Sequence, residues 1–409
     1  MYFSENSEKI MKFFLDDFNS FIQKKSIFQQ LIIDRTTRKL YNQLRLADIY
    51  ISKLIQHNLE RIIEEIDENV PTLIKSNYVP EKIVSFIQSK VLKVIKYKAK
   101  IRNRQVSIIF SLYDEDDINN ISKFDIYVKW MLMWLYMVPF KTSHCGKTLT
   151  IRCYMTDYRK KLPNNQMYIL KPENCNTAFT TSCITNGEIV IYRKEEWFKV
   201  FIHECFHVLG LDFSAMNCID LNRKMHALFP IKSHFNLHDS YCEFWATVIN
   251  CAFCSYNIMD DKLQINDFIL YMDFCIHFEQ IFSLFQMYKI LRFMSVTYPN
   301  LYTKDEKGRN ARKYLYKEKT NVFAYYIIKC LLIHSISDFF TWCNKNNEDI
   351  YLFTKTQSNL DSFYRFIESH KEHIVDDYDH MGQAFIKMKK DRMLSTTMRM
   401  SVCEMVIKK

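Results

Sequence analysis

The sequence predicts an α+β protein that is mostly helical. Two observations favour this fold class. Apolar residues recur every three to four positions through the first hundred residues and again after Gly210, whereas runs with period-two alternation occur between positions 106 and 192. The 409 residues also include only five glycines and seven prolines, so few positions interrupt helices. We therefore expect a small mixed sheet flanked by N-terminal and C-terminal helical regions.

The N-terminal helical region, residues 1–104, is expected to contain three helices, Ser7–Lys24, Lys39–Ile66 and Pro80–Lys98. A basic cluster lies at its end and comprises Lys90, Lys93, Lys96, Lys98, Lys100, Arg102 and Arg104. The cluster is typical of a solvated helical face, and a docking surface for an acidic protein partner is the alternative. It does not show the aromatic pattern of base-stacking proteins, so we do not expect nucleic acid as a partner.

The middle region, residues 105–214, is expected to hold the sheet and one amphipathic helix. Four strands are predicted there: Val106–Tyr113, Thr148–Met155, Ala178–Ile184 and Glu188–Tyr192. The last two are expected to form a hairpin at the sheet edge, because Asn186-Gly187 between them is a strong hairpin-turn dipeptide. Helix Lys194–Leu209 follows directly, and Gly210 is its expected C-cap.

The C-terminal region, residues 215–409, is predicted to be helical over most of its length. The predicted helices are Met216–Ala227, Ser240–Ile258, Asp267–Met294, Ala311–Cys343 and Gln357–Glu372. Cys251 and Cys254 form a CxxC pair on one of these helices. No second pair completes a four-cysteine site, so the expected role of both residues is core packing.

Composition and charge limit the compartment and the partners. The net charge of +10 is a moderate basic excess that does not by itself indicate nucleic-acid binding. Thirteen cysteines at irregular spacing predict free thiols in a reducing compartment. The N-terminus lacks a secretion-signal layout, and the longest apolar run, Trp130–Phe140, is too short to span a bilayer. We therefore predict an intracellular protein that is not secreted and has no membrane partner.

The stretch His203-Glu204-Cys205-Phe206-His207 carries the strongest chemical signal in the chain. On a helix, residues four positions apart project from the same face, so both imidazoles can reach one metal ion. The intervening Glu204 can act as general base on a metal-bound water. This HExxH motif predicts a zinc peptidase that hydrolyses peptide bonds, with a polypeptide as substrate.

A catalytic zinc ion needs a third protein ligand, and the sequence offers two arrangements. In a metzincin the ligand would follow Gly210 at position 213, but Phe213 cannot bind metal, and Asp212 is one residue out of register. Glu243 is the other candidate, because a carboxylate within an apolar helical stretch is costly to bury unless it is paired or bound to metal. The sequence therefore predicts His203, His207 and Glu243 as the zinc ligands.

Two segments resemble a family of HExxH metallopeptidases encoded by large nucleocytoplasmic DNA viruses. They are GEIVIYRKEEWFKVFIHECFHVLGLDFS and SYCEFWA, and CNTAFTTSC just upstream is similar to the edge strand of that family. The resemblance implies a zincin-like core, a gluzincin-like zinc site, and a location in the host cytoplasm or the virion. Many gluzincins carry an aspartate four residues after the third ligand, where this chain has Thr247. Asp212 or Asp239 is the alternative for that orienting role.

Supporting residues of the site are also predicted. His238 and Tyr241 lie shortly before Glu243, and either could stabilise the oxyanion as a catalytic residue. Strand Ala178–Cys183 could bind an extended peptide by strand addition, and simple membership of the core sheet is the alternative.

Two other classes of function compete with the peptidase hypothesis. One is a structural or scaffolding viral protein that retains a zincin fold without proteolytic activity. The intact Glu204 argues against it, because a structural zinc site needs no base. The other is a nucleic-acid-associated factor that uses the basic cluster, which salt-dependent DNA binding would reveal.

Overall fold

The computed structural model describes residues 1–15, 26–65, 78–142, 144–388 and 391–407. Within them the protein is α+β, as the sequence predicts, with one six-stranded sheet and many helices. The strands are β1 (Tyr2–Phe3), β2 (Glu60–Glu65), β3 (Lys93–Ile101), β4 (Arg104–Leu112), β5 (Thr148–Thr156), β6 (Ala178–Thr180), β7 (Asn186–Arg193) and β8 (Met405–Val406).

In the sequence, helices come before, between and after the strands of the sheet. The first seven are α1 (Glu5–Leu15), α2 (Ile27–Asn58), α3 (Glu81–Lys90), α4 (Glu115–Asn119), α5 (Ser122–Met137), α6 (Pro172–Cys175) and α7 (Trp197–Val208). The later ones are α8 (Ile219–Leu228), α9 (Leu237–Ile258), α10 (Ile265–Phe293), α11 (Glu306–Asn310), α12 (Lys329–His334), α13 (Ile336–Asn346), α14 (Gln357–His370), α15 (Val375–Met388) and α16 (Arg392–Thr396).

The main sheet has the strand order β2-β3-β4-β5-β7-β6 and is mixed. β4, β5 and β7 run parallel, and antiparallel neighbours flank them on both sides. β7 is buried on both faces, as expected for a parallel strand covered by helices. Ile189 and Ile191 join the main core together with α7, whereas Val190 and Tyr192 pack with Ile83 of α3 on the opposite face.

The prediction of an all-helical N-terminal region was wrong. β2 and β3 pair with β4 in the main sheet, so the predicted boundary between residues 104 and 105 falls at the start of β4. In β3 the buried residues Ile95 and Tyr97 alternate with lysines on the other face, which is the period of a strand. Apart from Lys90, the basic cluster therefore lies on the β3–β4 hairpin, and two helices end earlier than predicted, at Asn58 and Lys90.

The edge hairpin forms, but its turn lies elsewhere than predicted. β6 pairs antiparallel with β7, and residues 181–185 connect them. Asn186-Gly187 belongs to β7 itself, where Gly187 pairs with Leu149 of β5. A Cβ at Gly187 would collide with the side chain of Val208 in α7. Glycine is therefore required here because the sheet and the helix approach closely, and a tight turn is not the reason.

The helical layers around the sheet are long and apolar. α9 and α10 are buried along most of their length and pack against each other. α10 is long and apolar enough to cross a membrane, although two-thirds of its most apolar window is buried within the fold, as in many core helices. The predicted helix Ala311–Cys343 is interrupted at several points, and its segments Phe323–His334 and Ile336–Asn346 meet at 93°.

The C-terminal segment is fastened to the core by buried charges. We call Lys160, Glu196, Glu279, Arg399 and Glu404 the C-terminal network. The Glu196 carboxylate pairs with the Lys160 ammonium and accepts two backbone N–H groups of residues 400 and 401. The Glu279 carboxylate accepts the N–H groups of residues 402 and 403, and the Arg399 guanidinium lies 2.9 Å from Glu404. This network connects the end of the chain to the residue that precedes α7.

Candidate metal centre

α7 carries the HExxH motif in its second half. The helix starts after Glu196, whose backbone is left-handed (φ 59°), and it is followed by Gly210, whose φ of 64° confirms the predicted cap. All of its residues except His207 are buried, because α7 packs against β7 on one side and α9 on another. The motif therefore lies between the sheet and the helix that follows it.

Three side-chain atoms that can each donate a lone pair to a metal ion lie close together where α7 contacts α9. The Nε2 atoms of His203 and His207 are 3.2 Å apart. Oδ1 of Asp239 lies 3.2 Å from the Nε2 atom of His207 and 3.6 Å from that of His203. Ligands of a tetrahedral zinc ion at about 2.0–2.1 Å stand about 3.3–3.4 Å from one another. The three atoms therefore fit three corners of a zinc coordination sphere.

Glu243, the predicted third ligand, lies behind His203 instead. Its Oε1 atom is 3.1 Å from Nδ1 of His203, on the side of the ring away from Nε2. Its other oxygen forms an ion pair with the ammonium of Lys199, and both side chains are buried. Asp239 is one helical turn earlier on α9, and that turn faces the Nε2 atoms. The geometry thus brings Asp239, and not Glu243, to the two Nε2 atoms.

Each histidine has a carboxylate on its Nδ1 side. Asp212 holds Nδ1 of His207, and Ser214 donates its backbone N–H and its hydroxyl to the other oxygen of Asp212. Glu243 lies behind His203, 3.1 Å from Nδ1, in a contact that does not have the geometry of a hydrogen bond. Carboxylates in this position select the tautomer that leaves Nε2 free to bind a metal. Of the two residues that the sequence left open for the orienting role, Asp212 contacts an Nδ1 atom, whereas Asp239 faces the Nε2 atoms.

Asp239 is itself held in place by an amide pair. Its Oδ2 atom accepts a hydrogen bond from the side chain of Asn321, whose own oxygen accepts one from Asn236 at 2.7 Å. Since Oδ2 is engaged in this way, Oδ1 is the oxygen presented to the two imidazoles.

The centre carries an excess of negative charge. Four buried carboxylates surround the two histidines, from Glu204, Asp212, Asp239 and Glu243, whereas Lys199 is the ammonium that contacts one of them. With both imidazoles neutral, the sum of these five charges is −3. A divalent cation would bring it to −1, and burying four carboxylates without such a cation is costly.

The pKa values of the histidines respond to the same excess of negative charge. Burial alone would lower the pKa of His203, but contact with Asp239 and Glu243 outweighs burial and raises it to about 9. The pKa of His207 is also raised well above its ordinary value despite burial, by the neighbouring Cys242 thiol and the Asp212 carboxylate. A cation of either kind, a proton or a metal ion, is therefore favoured on these rings.

Glu204, the predicted general base, is buried beside the histidines, with 8% of its surface exposed. Burial raises the pKa of its carboxyl group, and the two imidazoles of His203 and His207 partly oppose that effect. A carboxylate with a raised pKa is better able to accept and return a proton near neutral pH.

Tyr241 does not face the centre, contrary to the prediction. Its side chain is fully buried, and its hydroxyl accepts a hydrogen bond of 2.8 Å from the amide of Asn347. Its ring packs against Phe213 and Phe353. Tyr241 is two residues from Asp239 along α9, so it projects from another side of that helix. Tyr241 is therefore not placed to stabilise an oxyanion at the centre.

His238 lies at the rim of the centre. Its ring centroid is 5.6 Å from that of His207, and about a quarter of its side chain is exposed. Burial lowers the pKa of its imidazole, with Asp239 opposing that effect. A neutral, partly exposed imidazole at this position can donate a hydrogen bond to a bound ligand, which keeps the prediction for His238 open.

Tyr325 and Asn321 were not predicted. They come from the π-helical turn Phe323–Ile328 and the segment before it, almost 120 residues after the motif. The Tyr325 ring centroid lies 6.1 Å from that of His203, and burial raises the pKa of its phenol well above the ordinary value. A protonated phenol there is a hydrogen-bond donor beside the centre. Because both residues are so far from the motif in the sequence, no sequence pattern linked them to the centre.

A disulfide bond contradicts the expectation of free thiols at two positions. Cys145 and Cys183 are bonded, and the other eleven cysteines are free. The bond joins the β6–β7 connection to the turn before β5. Both cysteines lie against Gly210, just beyond the end of α7. Cys251 and Cys254 are buried in α9, as predicted.

Comparisons of the chain with protein-family models, with curated proteins and with solved structures found no match. The residues of the centre and their geometry are therefore the evidence for the function.

Proposed function

We propose that the protein is a zinc-dependent peptidase in which His203, His207 and Asp239 hold the metal. The observation that carries the proposal is the triangle of donor atoms, with sides of 3.2, 3.2 and 3.6 Å, at the spacing of tetrahedral zinc ligands. Carboxylates behind both imidazoles and the excess negative charge support it. Three protein ligands leave the fourth position for water or substrate, as in catalytic sites.

The chemistry that we propose is hydrolysis of a peptide bond. When bound, zinc would polarise the substrate carbonyl and lower the pKa of its water. Glu204 would take the proton of the attacking water on its carboxylate and return it to the leaving amine. Tyr325 and His238 are the side chains beside the centre that can donate a hydrogen bond to the developing oxyanion.

The edge of the sheet offers a site for the polypeptide. β6 is the last strand of the sheet and packs beside α7, so its outer edge borders the helix that carries the motif. An extended substrate can add to such an edge by backbone hydrogen bonds. A short edge strand next to the motif helix supports the zincin-like core that the resemblance to viral HExxH peptidases implies. We extend the proposal accordingly to an intracellular peptidase that processes viral or host proteins.

The experiment that tests the proposal combines metal analysis with cleavage-site mapping. Wild-type protein is expected to hold one zinc ion per chain and to generate new peptide termini in a cell lysate. Glu204→Gln should retain the zinc and lose hydrolysis by at least about 100-fold, as expected when a general base is removed. Asp220→Asn is a matched control, because Asp220 lies on helix α8 and pairs with the exposed Arg223 and the half-buried Lys224.

Other outcomes separate the competing classes. Zinc binding with no cleavage by wild type would favour the structural or scaffolding hypothesis. Equal cleavage by wild type and by Glu204→Gln would contradict the proposed mechanism. Absence of bound metal after reconstitution would contradict the metal centre itself.

A further inference from the structure

A basic cleft of about 610 Å³ shares no lining residue with the metal centre. It is bordered by α1, α3, the segment that follows β5, and α16, so it unites both ends of the chain with its middle. Seven of its lining residues are basic and two are acidic. A cavity with this charge excess attracts anions.

Three of the basic residues already have acidic partners. Lys160 pairs with Glu196, and Arg399 pairs with Glu404, both within the C-terminal network. Lys9 lies 3.2 Å from a carboxylate oxygen of Asp391. These pairs neutralise three of the seven positive charges, so they do not supply the excess charge of the cleft.

The excess comes from four exposed side chains: Lys82, Arg159, Lys161 and Arg392. Among the described residues none of them forms an ion pair. Lys82 contacts the ring of Tyr158, with its ammonium 5.7 Å from the ring centroid. Asp157 and Glu195 line the same cavity, so the four cations exceed its carboxylates by two, and an anionic ligand would relieve the repulsion that remains.

One of the residues that line the cleft has a buried hydrogen-bond donor without a partner among the described residues. The side chain of Arg399 lines the cleft and is 1% exposed, yet its Nη2 atom has no hydrogen-bond partner within the described part of the chain. Buried donors without partners are rare in folded proteins, and an unseen water or ion is one explanation for such a donor.

We propose that this cleft binds a small molecule that carries several phosphate groups. Guanidinium groups recognise phosphate oxygens through paired hydrogen bonds, and lysines contribute point charges. The volume lies within the range of about 300–1,000 Å³ that is typical of small-molecule sites. A nucleotide or an inositol polyphosphate matches both the charge and the size. The proposal is independent of the zinc peptidase.

The test is calorimetric titration of the full-length protein with inositol hexakisphosphate and, separately, with ATP, at about 0.15 M salt, where weak surface attraction is screened. Saturable binding of at least one probe is expected. Arg159→Ala/Lys161→Ala should weaken it by about tenfold or more. Lys96→Ala/Lys100→Ala, on β3, removes the same charge outside the cleft and should leave the affinity within about twofold.

Three results would overturn the proposal. The first is no saturable binding of either probe. The second is an equal loss in both double variants, which would indicate general electrostatic attraction. The third is tighter binding of a single-stranded oligonucleotide, displaced by neither probe, which would indicate a nucleic-acid surface. Melting temperatures equal to that of wild type show that both variants are folded.

Discussion

The C-terminal network and the metal centre are both buried and both rich in carboxylates, yet they are completed differently. In the C-terminal network, the oxygens of Glu196 and Glu279 accept backbone N–H groups, and lysine or arginine neutralises the charge. In the metal centre, the Nε2 atoms of His203 and His207 and Oδ1 of Asp239 face one another. Backbone N–H groups meet carboxylate oxygens in the first case, whereas three potential metal ligands meet in the second.

Buried charges with a structural role differ from those with a functional role in the groups that contact them. A carboxylate whose partners are backbone N–H groups is satisfied by the fold, and its role is to hold segments together. A group of acceptors that meet without a donor between them needs a cation to be stable. Both clusters flank α7, since Glu196 precedes the helix and His203 lies within it. The same helix is therefore anchored by one cluster and contributes His203 and His207 to the other.

The largest expected effect is on metal binding in Asp239→Asn. The substitution removes the charge and leaves an amide at the third corner, so zinc affinity should fall by more than the roughly 10–100-fold that follows loss of an outer hydrogen-bond partner. Competition with a chromophoric chelator measures the affinity. An affinity within tenfold of wild type would refute the assignment of Asp239 as a ligand.

Some parts of the centre could be predicted because their signals are local. The spacing of His203 and His207, the position of Glu204 and the cap at Gly210 all depend on a single helix and its end. The mixed sheet and the helix-rich C-terminal region also followed from periodicity. These features are set by residues within one or two turns of each other.

The rest depends on packing between distant segments. Asp239 and Glu243 are both on α9, and only the position at which α9 crosses α7 decides which of them faces Nε2. Asn321 reaches Asp239 from a turn 82 residues later. The predicted turn at Asn186-Gly187 failed for the same reason, because the glycine serves a contact with Val208 on another element.

The next effect is on stability, in Glu196→Gln. The change leaves the buried ammonium of Lys160 without its charge partner, which is expected to cost about 3–5 kcal/mol of unfolding free energy. Zinc content of the folded fraction should remain unchanged. Urea titration with zinc analysis checks both quantities, and a stable variant without zinc would reverse the roles assigned to the two clusters.

A smaller effect is expected from the carboxylate behind His207. In Asp212→Asn the ring loses its charged partner but keeps a hydrogen-bond acceptor, so zinc affinity should fall by about 10–100-fold. Glu243→Gln is the matching change behind His203 and should give a loss of similar size. A loss in Glu243→Gln that exceeds that of Asp239→Asn would contradict the geometry.

The smallest effect concerns Tyr241 and Tyr325. Tyr241→Phe removes one hydrogen bond with Asn347 in the core and should cost about 0.5–1.5 kcal/mol of stability, with unchanged kcat. Tyr325→Phe should instead lower kcat with little change in KM, because its phenol lies beside the centre. Steady-state kinetics on a mapped peptide distinguishes the two, and the opposite pattern would return the oxyanion role to Tyr241.

The most direct measurement is the position of zinc in a crystal of the metal-loaded protein, located by anomalous scattering at the zinc absorption edge. The predicted result is one peak at about 2.0–2.2 Å from His203 Nε2, His207 Nε2 and a carboxylate oxygen of Asp239. Glu243 should remain against Nδ1 of His203. A peak bonded to Glu243 in place of Asp239, or the absence of a peak at both histidines, would contradict the account.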